Sequence, residues 1–267
     1  MTDTIDRELL DSVIRIAREA GRTTLEVYES DFQVDAKSDD SPITEADRRA
    51  NDVIKAGLAE IEPRLPQLSE ESRQAPWEER RHWSRLWLID PLDGTKEFVN
   101  RNGQFTVNIA MIEGHRPRLG VVHVPVTGVT YSGIVGQGAW KQTGDGPAES
   151  ITVRRLGDGP VKVVASRSHR GPDLDGYLER LGPHETVALG SSLKFCILAE
   201  GGADVYPRLG PTSEWDTAAA QAVLEAAGGS VVDTHGQPLG YNKGSSVLNG
   251  WFIAYADASR DWTAYLP

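Results

Sequence analysis

One stretch, Trp87-Leu88-Ile89-Asp90-Pro91-Leu92-Asp93-Gly94-Thr95-Lys96-Glu97-Phe98, constrains this chain more than any other. An apolar run ends abruptly in two carboxylates three positions apart, followed by a glycine and a hydroxyl. Leu86 to Ile89, bounded by turn residues, predicts a strand buried on both faces. Asp90 then falls where that strand ends, the place at which open α/β folds bind ligands. Pro91 fixes its own φ and Gly94 permits a tight turn, so Asp90 and Asp93 can point into one small volume. Like charges held that close repel unless a cation lies between them, and hard carboxylate oxygens suit magnesium or manganese. Asp and Gly after a strand are also ordinary turn chemistry. The metal reading therefore needs acidic company elsewhere in the chain.

With 267 residues the chain can bury a substantial core in one large domain or two smaller ones. Asp3, Asp6, Arg7, Glu8, Asp11 and Arg15 interrupt any secretory h-region, and no stretch is long enough to span a bilayer. Cys196 is the only cysteine, which excludes an intramolecular disulfide and points to a reducing, cytoplasmic setting. A net charge of −11 argues against a nucleic-acid polymer as partner. It leaves a small anionic substrate open, because bound cations reverse the field around clustered carboxylates.

Apolar residues recur with helical period from Ile5 through Leu9, Val13, Ile16, Ala17 and Ala20 to Leu25 and Val27, predicting a helix over 5–29. A second helix is expected from Thr44 to Ile61, and residues 62–84 read as loops around a short element. Strand patterns at 105–112, 119–124, 129–134 and 138–140 follow at hairpin spacing and predict an antiparallel meander. Gly144-Asp145-Gly146-Pro147 marks a break. Beyond it come a buried strand at 161–165, helices near 173–181, 191–200 and 216–227, and short strands at 203–206, 230–232 and 250–254. The chain reads as an α/β protein with a boundary near 145–160, giving an N-terminal subdomain over 1–150 and a C-terminal one over 151–267.

Three further acidic turns accompany Asp90 and Asp93. Glu70-Glu71, about twenty residues upstream, would by itself be a solvated acidic loop. Asp216, in Ser213-Glu214-Trp215-Asp216-Thr217-Ala218-Ala219-Ala220, would by itself be an N-cap or first-turn acid favoured by the helix dipole. Asp47, three residues after Thr44, fits an early-helix position equally well. Together these plain readings weaken, because each acid carries its own distinctive local signature.

Those signatures carry a resemblance. Asp90-Pro91-Leu92-Asp93-Gly94-Thr95 and Trp215-Asp216-Thr217-Ala218-Ala219, with Glu70-Glu71 upstream, resemble the inositol-monophosphatase-like superfamily of metal-dependent, lithium-sensitive phosphatases. The likeness is closer still to the CysQ-type 3'(2'),5'-bisphosphate nucleotidases. It is carried by Asp93 to Phe98, Arg101-Asn102-Gly103, Ser166-Arg167-Ser168-His169, Gly190-Ser191-Ser192-Leu193-Lys194-Phe195-Cys196 and Val205 to Pro211. It runs from about residue 8 to residue 254, and no diagnostic residue falls in 73–85.

The resemblance implies an α/β, layered αβαβα sandwich, with most metal ligands in the N-terminal subdomain and the last ligand and nucleotide contacts in the C-terminal one. It implies that Glu70, Asp90 and the Leu92 carbonyl hold one Mg2+, that Asp90 bridges to a second held also by Asp93 and Asp216, and that a third, weaker ion sits near Glu70. Mn2+ could substitute, and Li+ and Ca2+ would inhibit. Two ions at roughly 3.5–4 Å clamp a phosphoryl group and activate water for direct attack, without a phosphoenzyme. Glu70, Thr95 and Asp47 would handle the attacking water and its proton. Glu70, Leu92, Asp93, Gly94, Thr95 and Asp216 would also bind substrate, and His169, Ser191, Lys194 and Arg208 would contact the adenosine and its 5'-phosphate. Lys and Arg suit a second phosphate chemically, Arg with bidentate geometry.

The activity implied is removal of the 3'-phosphate from adenosine 3',5'-bisphosphate, and from its sulfated precursor, in sulfur assimilation. The enzyme would be a monomer or homodimer, cytoplasmic, or peripheral at the inner membrane face. A haloacid-dehalogenase reading fails because Asp90 and Asp93 are separated by two residues rather than one, which takes the second acid off the strand's alternation. A magnesium-responsive binding protein would need a lost ligand or a lost Thr95–Asp47 pair, and none is lost. Inositol monophosphatase and fructose-1,6-bisphosphatase activities are the runners-up, with Lys96, Lys194 and Arg208 favouring the nucleotidase. Phe195 and Cys196 are expected in the core of their helix. His82, His115, His123, His184 and His235 lack metal-ligand spacing and are expected to be structural or exposed.

Overall fold

The computed structural model describes residues 5–36, 42–61, 63–166 and 171–267. Its first element is α1 (Arg7–Tyr28), entered at Asp6, whose carboxylate accepts the Leu9 N–H at 3.0 Å. A small hairpin of β1 (Val34–Ala36) and β2 (Pro42–Thr44) leads into α2 (Glu45–Ala59). Next come β3 (Gln67–Ser69), the short helix α3 (Trp77–Arg80), β4 (Arg85–Asp93) and the short helix α4 (Thr95–Val99). The expected meander follows as β5 (Thr106–Glu113), β6 (Arg116–Val124), β7 (Val129–Ile134), β8 (Gly138–Thr143) and β9 (Glu149–Ile151). These strands form one seven-stranded sheet in the order β3-β4-β5-β6-β7-β8-β9.

The remainder of the chain supplies β10 (Val161–Ser166), α5 (Pro172–Leu181), β11 (His184–Leu189), α6 (Leu193–Ala199), β12 (Val205–Arg208) and β13 (Thr212–Ser213). It ends with α7 (Ala218–Ala226), β14 (Ser230–Asp233), β15 (Leu248–Asn249) and β16 (Phe252–Tyr255). A five-stranded sheet runs β11-β10-β12-β16-β14, and β13 pairs with β15.

Period-two alternation sorts the larger sheet into two faces. Trp87 and Ile89 of β4 join Leu10, Val13, Ala17 and Ile54 of α1 and α2 in one core. Leu86 and Leu88 face the other way, into a core with Phe195 and Leu198 of α6, the alanines of α7, and Phe252 of the second sheet. On that sheet's outer face, Val161, Val163 and Ile253 pack against Tyr177 and Leu178 of α5 and against Trp262. The layers therefore run α1/α2, sheet, α6/α7, sheet, α5: the αβαβα sandwich.

Two expectations need correction. The strand does not stop at Ile89 but runs through Asp93, in a sheet that is mainly antiparallel, with β3–β4 its one parallel pair. The strand at His184–Leu189 escaped notice because it is the edge of its sheet and exposes Glu185, Thr186 and Ala188, so it carries no apolar run.

The central layer is unusually thin where α7 crosses β6 and β7. A Cβ added to Gly120 would lie 2.1 Å from the Ala219 carbonyl oxygen, and one on Gly133 would lie 2.9 Å from the Ala226 Cβ. Those contacts are to backbone and to a stub side chain, so nothing can swing aside. Gly120→Ala is expected to push α7 off the sheet and cost about 1–3 kcal/mol, the usual cost of overpacking a closed core. A urea titration should show a lower midpoint with an unchanged slope; an unchanged midpoint would mean the layer is looser than these distances indicate.

Candidate active site

A β-bulge builds the acidic site. Asp90 pairs with Asn108 and Asp93 with Thr106, so β4 uses three steps where β5 uses two. In a regular strand residues three apart face opposite sides of the sheet; the extra residue turns Asp93 back to the side that Asp90 occupies. Asp90 continues the alternation of Leu86 and Leu88, so both acids face the α6/α7 layer. Glu70 follows the end of β3, where its N–H donates to the Ile89 carbonyl at 3.2 Å. Asp216 arrives from the opposite layer, just ahead of α7.

Each aspartate has one oxygen tied to the chain. Asp90 Oδ1 accepts the Leu92 N–H at 3.0 Å, and Asp216 Oδ2 accepts the Ser213 N–H at 2.9 Å. Asp93 Oδ2 accepts the Ser192 N–H at 2.6 Å, with Thr106 Oγ1 at 3.4 Å and Asn108 Nδ2 at 3.5 Å. Asp90 Oδ2 is buried and has no hydrogen-bond partner among the described residues. One oxygen each from Glu70, Asp90 and Asp216 lie within 4.8 Å of one another. A buried, unpartnered carboxylate oxygen in such a trio fits a hard divalent cation, and the all-oxygen donor set fits magnesium. Asp93 stands outside the trio but faces the same cavity.

The energetic state of these groups follows from burial and crowding. Burial first, and then the charges of Glu70, Asp93 and Asp216, push the Asp90 carboxyl well above the usual range. Burial and the Asp93 charge push Asp216 up to about 8. Burial also raises Asp93, against the pull of Lys194 and the Ser192 hydrogen bonds.

Asp47 closes a capping box at the start of α2. Its Oδ2 accepts both the Thr44 N–H and the Thr44 hydroxyl at 2.7 Å. Its Oδ1 faces the Thr95 hydroxyl at 3.5 Å, and that hydroxyl lies equally far from the Leu92 carbonyl. The early-helix reading and the pairing with Thr95 therefore hold at once. Gly94, at φ 95°, makes the turn that sets Thr95 at the start of α4.

A cavity of about 290 Å³ gathers most of the remaining candidates: Leu92, Gly94, Thr95, Ser191, Lys194 and Arg208 line it together with the four acids. Lys194 is buried, donates to the Ser191 carbonyl at 2.6 Å and lies over the Tyr206 ring. Burial pulls its ammonium down to about 8, against the attraction of Asp93. Arg208 donates to the Pro211 carbonyl at 2.8 Å. His169 lies outside the described residues. His115 and His123 make local hydrogen bonds, to the Tyr241 carbonyl and the Thr130 hydroxyl. Phe195 and Cys196 are buried in the central core.

Sequence reasoning missed Ser192, Asn108, Tyr206 and Glu214. Ser192 donates its N–H to Asp93 and its hydroxyl to the Asp216 carbonyl at 2.7 Å, while accepting from Asn108 Nδ2 at 3.0 Å. Ser192, Tyr206 and Glu214 lay within quoted motifs, at Gly190–Cys196, Val205–Pro211 and Ser213–Ala220, whereas Asn108 carried no signal.

Comparison with known proteins places the site in a family. The model of the inositol monophosphatase family matches residues 6–261. The 3'(2'),5'-bisphosphate nucleotidase CysQ of Escherichia coli K12 is 50% identical over 246 residues, covering 91% of this chain and 98% of the relative. Its namesake in Haemophilus influenzae is 36% identical over 260 residues, covering 97% of each. The crystal structure of CysQ from Bacteroides thetaiotaomicron superposes with a TM-score of 0.83 at 40% identity, over 96% of this chain and 99% of that one. An inositol monophosphatase from Zymomonas mobilis shares the fold at a TM-score of 0.78 and 23% identity, over 98% of each chain.

The raised carboxyls give a pH signature. An unfolded aspartate ionises near ~3.9. From there up to about 8 the native site retains protons that the unfolded chain loses, so without metal native stability falls as pH rises. Asp90→Asn removes one such group and relieves its neighbours. Its melting temperature minus that of the parent, both freed of divalent metal, should grow between about pH 5 and about pH 8, while turnover is abolished. A flat or shrinking difference would mean that the Asp90 carboxyl is not raised in the native state.

Proposed function

The chain belongs to the inositol monophosphatase family, and on that premise we propose that it is a magnesium-dependent phosphatase releasing the 3'-phosphate of adenosine 3',5'-bisphosphate to give AMP. Its sulfated precursor, carrying the same 3'-phosphate, is a second substrate. The observation that carries this reading is one cavity in which a carboxylate trio stands together with Lys194 and Arg208, with Lys96 also on its wall. A monophosphatase needs the first set; the second suits a substrate with another phosphate. Likeness to the CysQ nucleotidases supports that choice of substrate.

Bound magnesium would neutralise phosphoryl oxygens and make water acidic enough to react at neutral pH. Glu70, Asp90, Asp216, Asp93 and the Leu92 carbonyl are the groups that would hold it. The chain's own part is positional. Asp47, immobilised by Thr44, accepts the Thr95 hydroxyl proton, so Thr95 Oγ1 presents a lone pair to water. Water attacks phosphorus in line as the bond to the 3'-oxygen breaks, its proton passing toward Thr95 and Asp47, with Glu70 orienting it. The departing 3'-oxygen gains a proton from solvent. Lys194 and Arg208 hold the 5'-phosphate, and Ser191 abuts it. The lone, buried Cys196 supports a reducing, cytoplasmic setting.

Phosphate release from a panel of monoesters in magnesium should place adenosine 3',5'-bisphosphate first in kcat/KM. Arg208→Ala should cost it on the order of ten- to a hundredfold, the value of a charge-assisted contact of about 1.5–3 kcal/mol. Inositol 1-phosphate and adenosine 2'-monophosphate, lacking the second phosphate, should scarcely respond. Equal losses on all substrates would make this a general sugar or inositol phosphatase.

Oxygen-18 water tests the direct attack separately. One turnover with enzyme in excess should place a single solvent oxygen in the released phosphate, whereas label on an aspartate carboxylate would mean a covalent phosphoenzyme.

A further inference from the structure

The turn that carries Asp216 is held in place from outside its own helix. Thr217 occupies the N-cap position of α7 and makes no side-chain capping bond. The work falls to Glu214, two residues before Asp216 and 5% exposed, which accepts the Asn242 N–H on both carboxylate oxygens at 3.0 and 2.8 Å. The Glu214 carbonyl in turn accepts the N–H groups of Thr217 and Ala218, and its own N–H donates to the Val247 carbonyl. Glu214 is thus the pin joining the first turn of α7 to the segment 242–247.

Asn242 sits at φ 49°, in the left-handed region that a non-glycine residue occupies only when its surroundings insist. Arg80, at the end of α3 and 2% exposed, does the insisting. Its Nη1 donates to Asn242 Oδ1 at 2.8 Å, and the Asn242 side-chain amide returns a bond to the Arg80 carbonyl at 2.8 Å. Its Nη2 donates to the Ser245 carbonyl at 3.0 Å and its Nε to the Ala75 carbonyl at 2.9 Å. All three guanidinium nitrogens are bound to neutral oxygens, while the Asn242 N–H and the nearby Arg80 charge both favour the ionised Glu214 carboxylate against its burial. Burying a guanidinium this deeply is costly unless its geometry is fully used. Here it fixes one backbone N–H, that of Asn242, on one carboxylate.

We propose that Arg80 is a positioning residue for Asp216, acting through Asn242 and Glu214 to aim that carboxylate at the cation position shared with Glu70 and Asp90. The Ser213 N–H holds one Asp216 oxygen, and one oxygen of this carboxylate lies within 4.8 Å of oxygens of Glu70 and Asp90. A small rotation of the turn withdraws it. The inference rests on the reading of Asp216 as a metal ligand.

The test compares Arg80→Met, Arg80→Lys, Asn242→Gly and Asp216→Asn, each as the full chain freed of metal. Asn242→Gly is the informative one: glycine accepts the left-handed φ and keeps the N–H on Glu214, but both side-chain bonds between residue 242 and Arg80 are gone. Mn2+ binding is measured by electron paramagnetic resonance, and the Mg2+ concentration for half-maximal hydrolysis is measured alongside. Asp216→Asn identifies which Mn2+ site depends on Asp216. In Arg80→Met and Asn242→Gly that same site should weaken roughly tenfold or more, the usual effect of losing an outer-shell partner, with other sites unchanged. The half-activating Mg2+ concentration should rise while kcat at saturation recovers, and Arg80→Lys should fall between. Parent-like Mn2+ binding in a folded Asn242→Gly overturns the proposal, even if Arg80→Met fails to fold. Unaltered Mn2+ binding in Asp216→Asn instead overturns the ligand reading beneath it.

Discussion

Mutual repulsion among buried carboxylates is the force against which the rest of this structure is arranged. Glu70, Asp90, Asp93 and Asp216 meet in one cavity, where a lowered dielectric strengthens every charge–charge term. Burial first, and then that repulsion, raise the Asp90 and Asp216 carboxyls. The fold answers by anchoring. Each aspartate gives one oxygen to a backbone N–H, of Leu92, Ser192 or Ser213, so it can neither swing away nor collapse onto a neighbour. The second Asp90 oxygen is left buried and without a hydrogen-bond partner among the described residues. Free energy spent on folding is thereby converted into a preformed set of hard donors, and a divalent cation recovers it on binding.

Two devices bring those anchors together from different layers. The bulge in β4 places two acids, otherwise on opposite faces, on one side of the sheet. The contact of α7 with Gly120 and Gly133 then lets the helix descend until the turn before it reaches that face. Small residues act here through what they lack. The same closeness lets Ser192, at the start of α6, touch Asp93 with its N–H and the Asp216 carbonyl with its hydroxyl. The site is thus a seam between layers, with no one element owning it.

The parts of the molecule that were legible in the sequence are those written in local pattern. Helical stripes, the alternating meander and the Asp-Pro-Leu-Asp-Gly-Thr turn announced α1, α2, β5 to β8 and the convergence of Asp90 with Asp93. The bulge was not legible, because it is a mismatch between two strands and neither sequence contains it alone. Asn108 looked like an ordinary polar residue in a strand; its meaning comes from facing Asp90 across the ladder. Glu214 looked like one more acid beside Asp216, yet its partner is a backbone N–H 28 residues on. Arg80, in a charged segment that reads as a solvated loop, is buried by contacts 162 residues away. Long-range polar pairing leaves no periodic trace, so it is the component that pattern reading loses.

The cations in the cavity complete the charge argument. Lys194 is buried among groups that pull it both ways: the Asp93 carboxylate favours its charge, while burial and Arg208 oppose it. Without divalent metal, Lys194 is a counter-charge available to the acids. Were a cation to occupy the carboxylates, that service would lapse, leaving Lys194 and Arg208 with Glu97 as the remaining acid in the cavity wall. On the function proposed above, an anion bearing two phosphates would then satisfy both ends, one at the metal and one at the Lys–Arg pair. Each binding event thereby creates the field that the other requires, and linkage makes the effect reciprocal. On this account the acidic chain attracts a polyanion because its acids are arranged to be over-neutralised at one place.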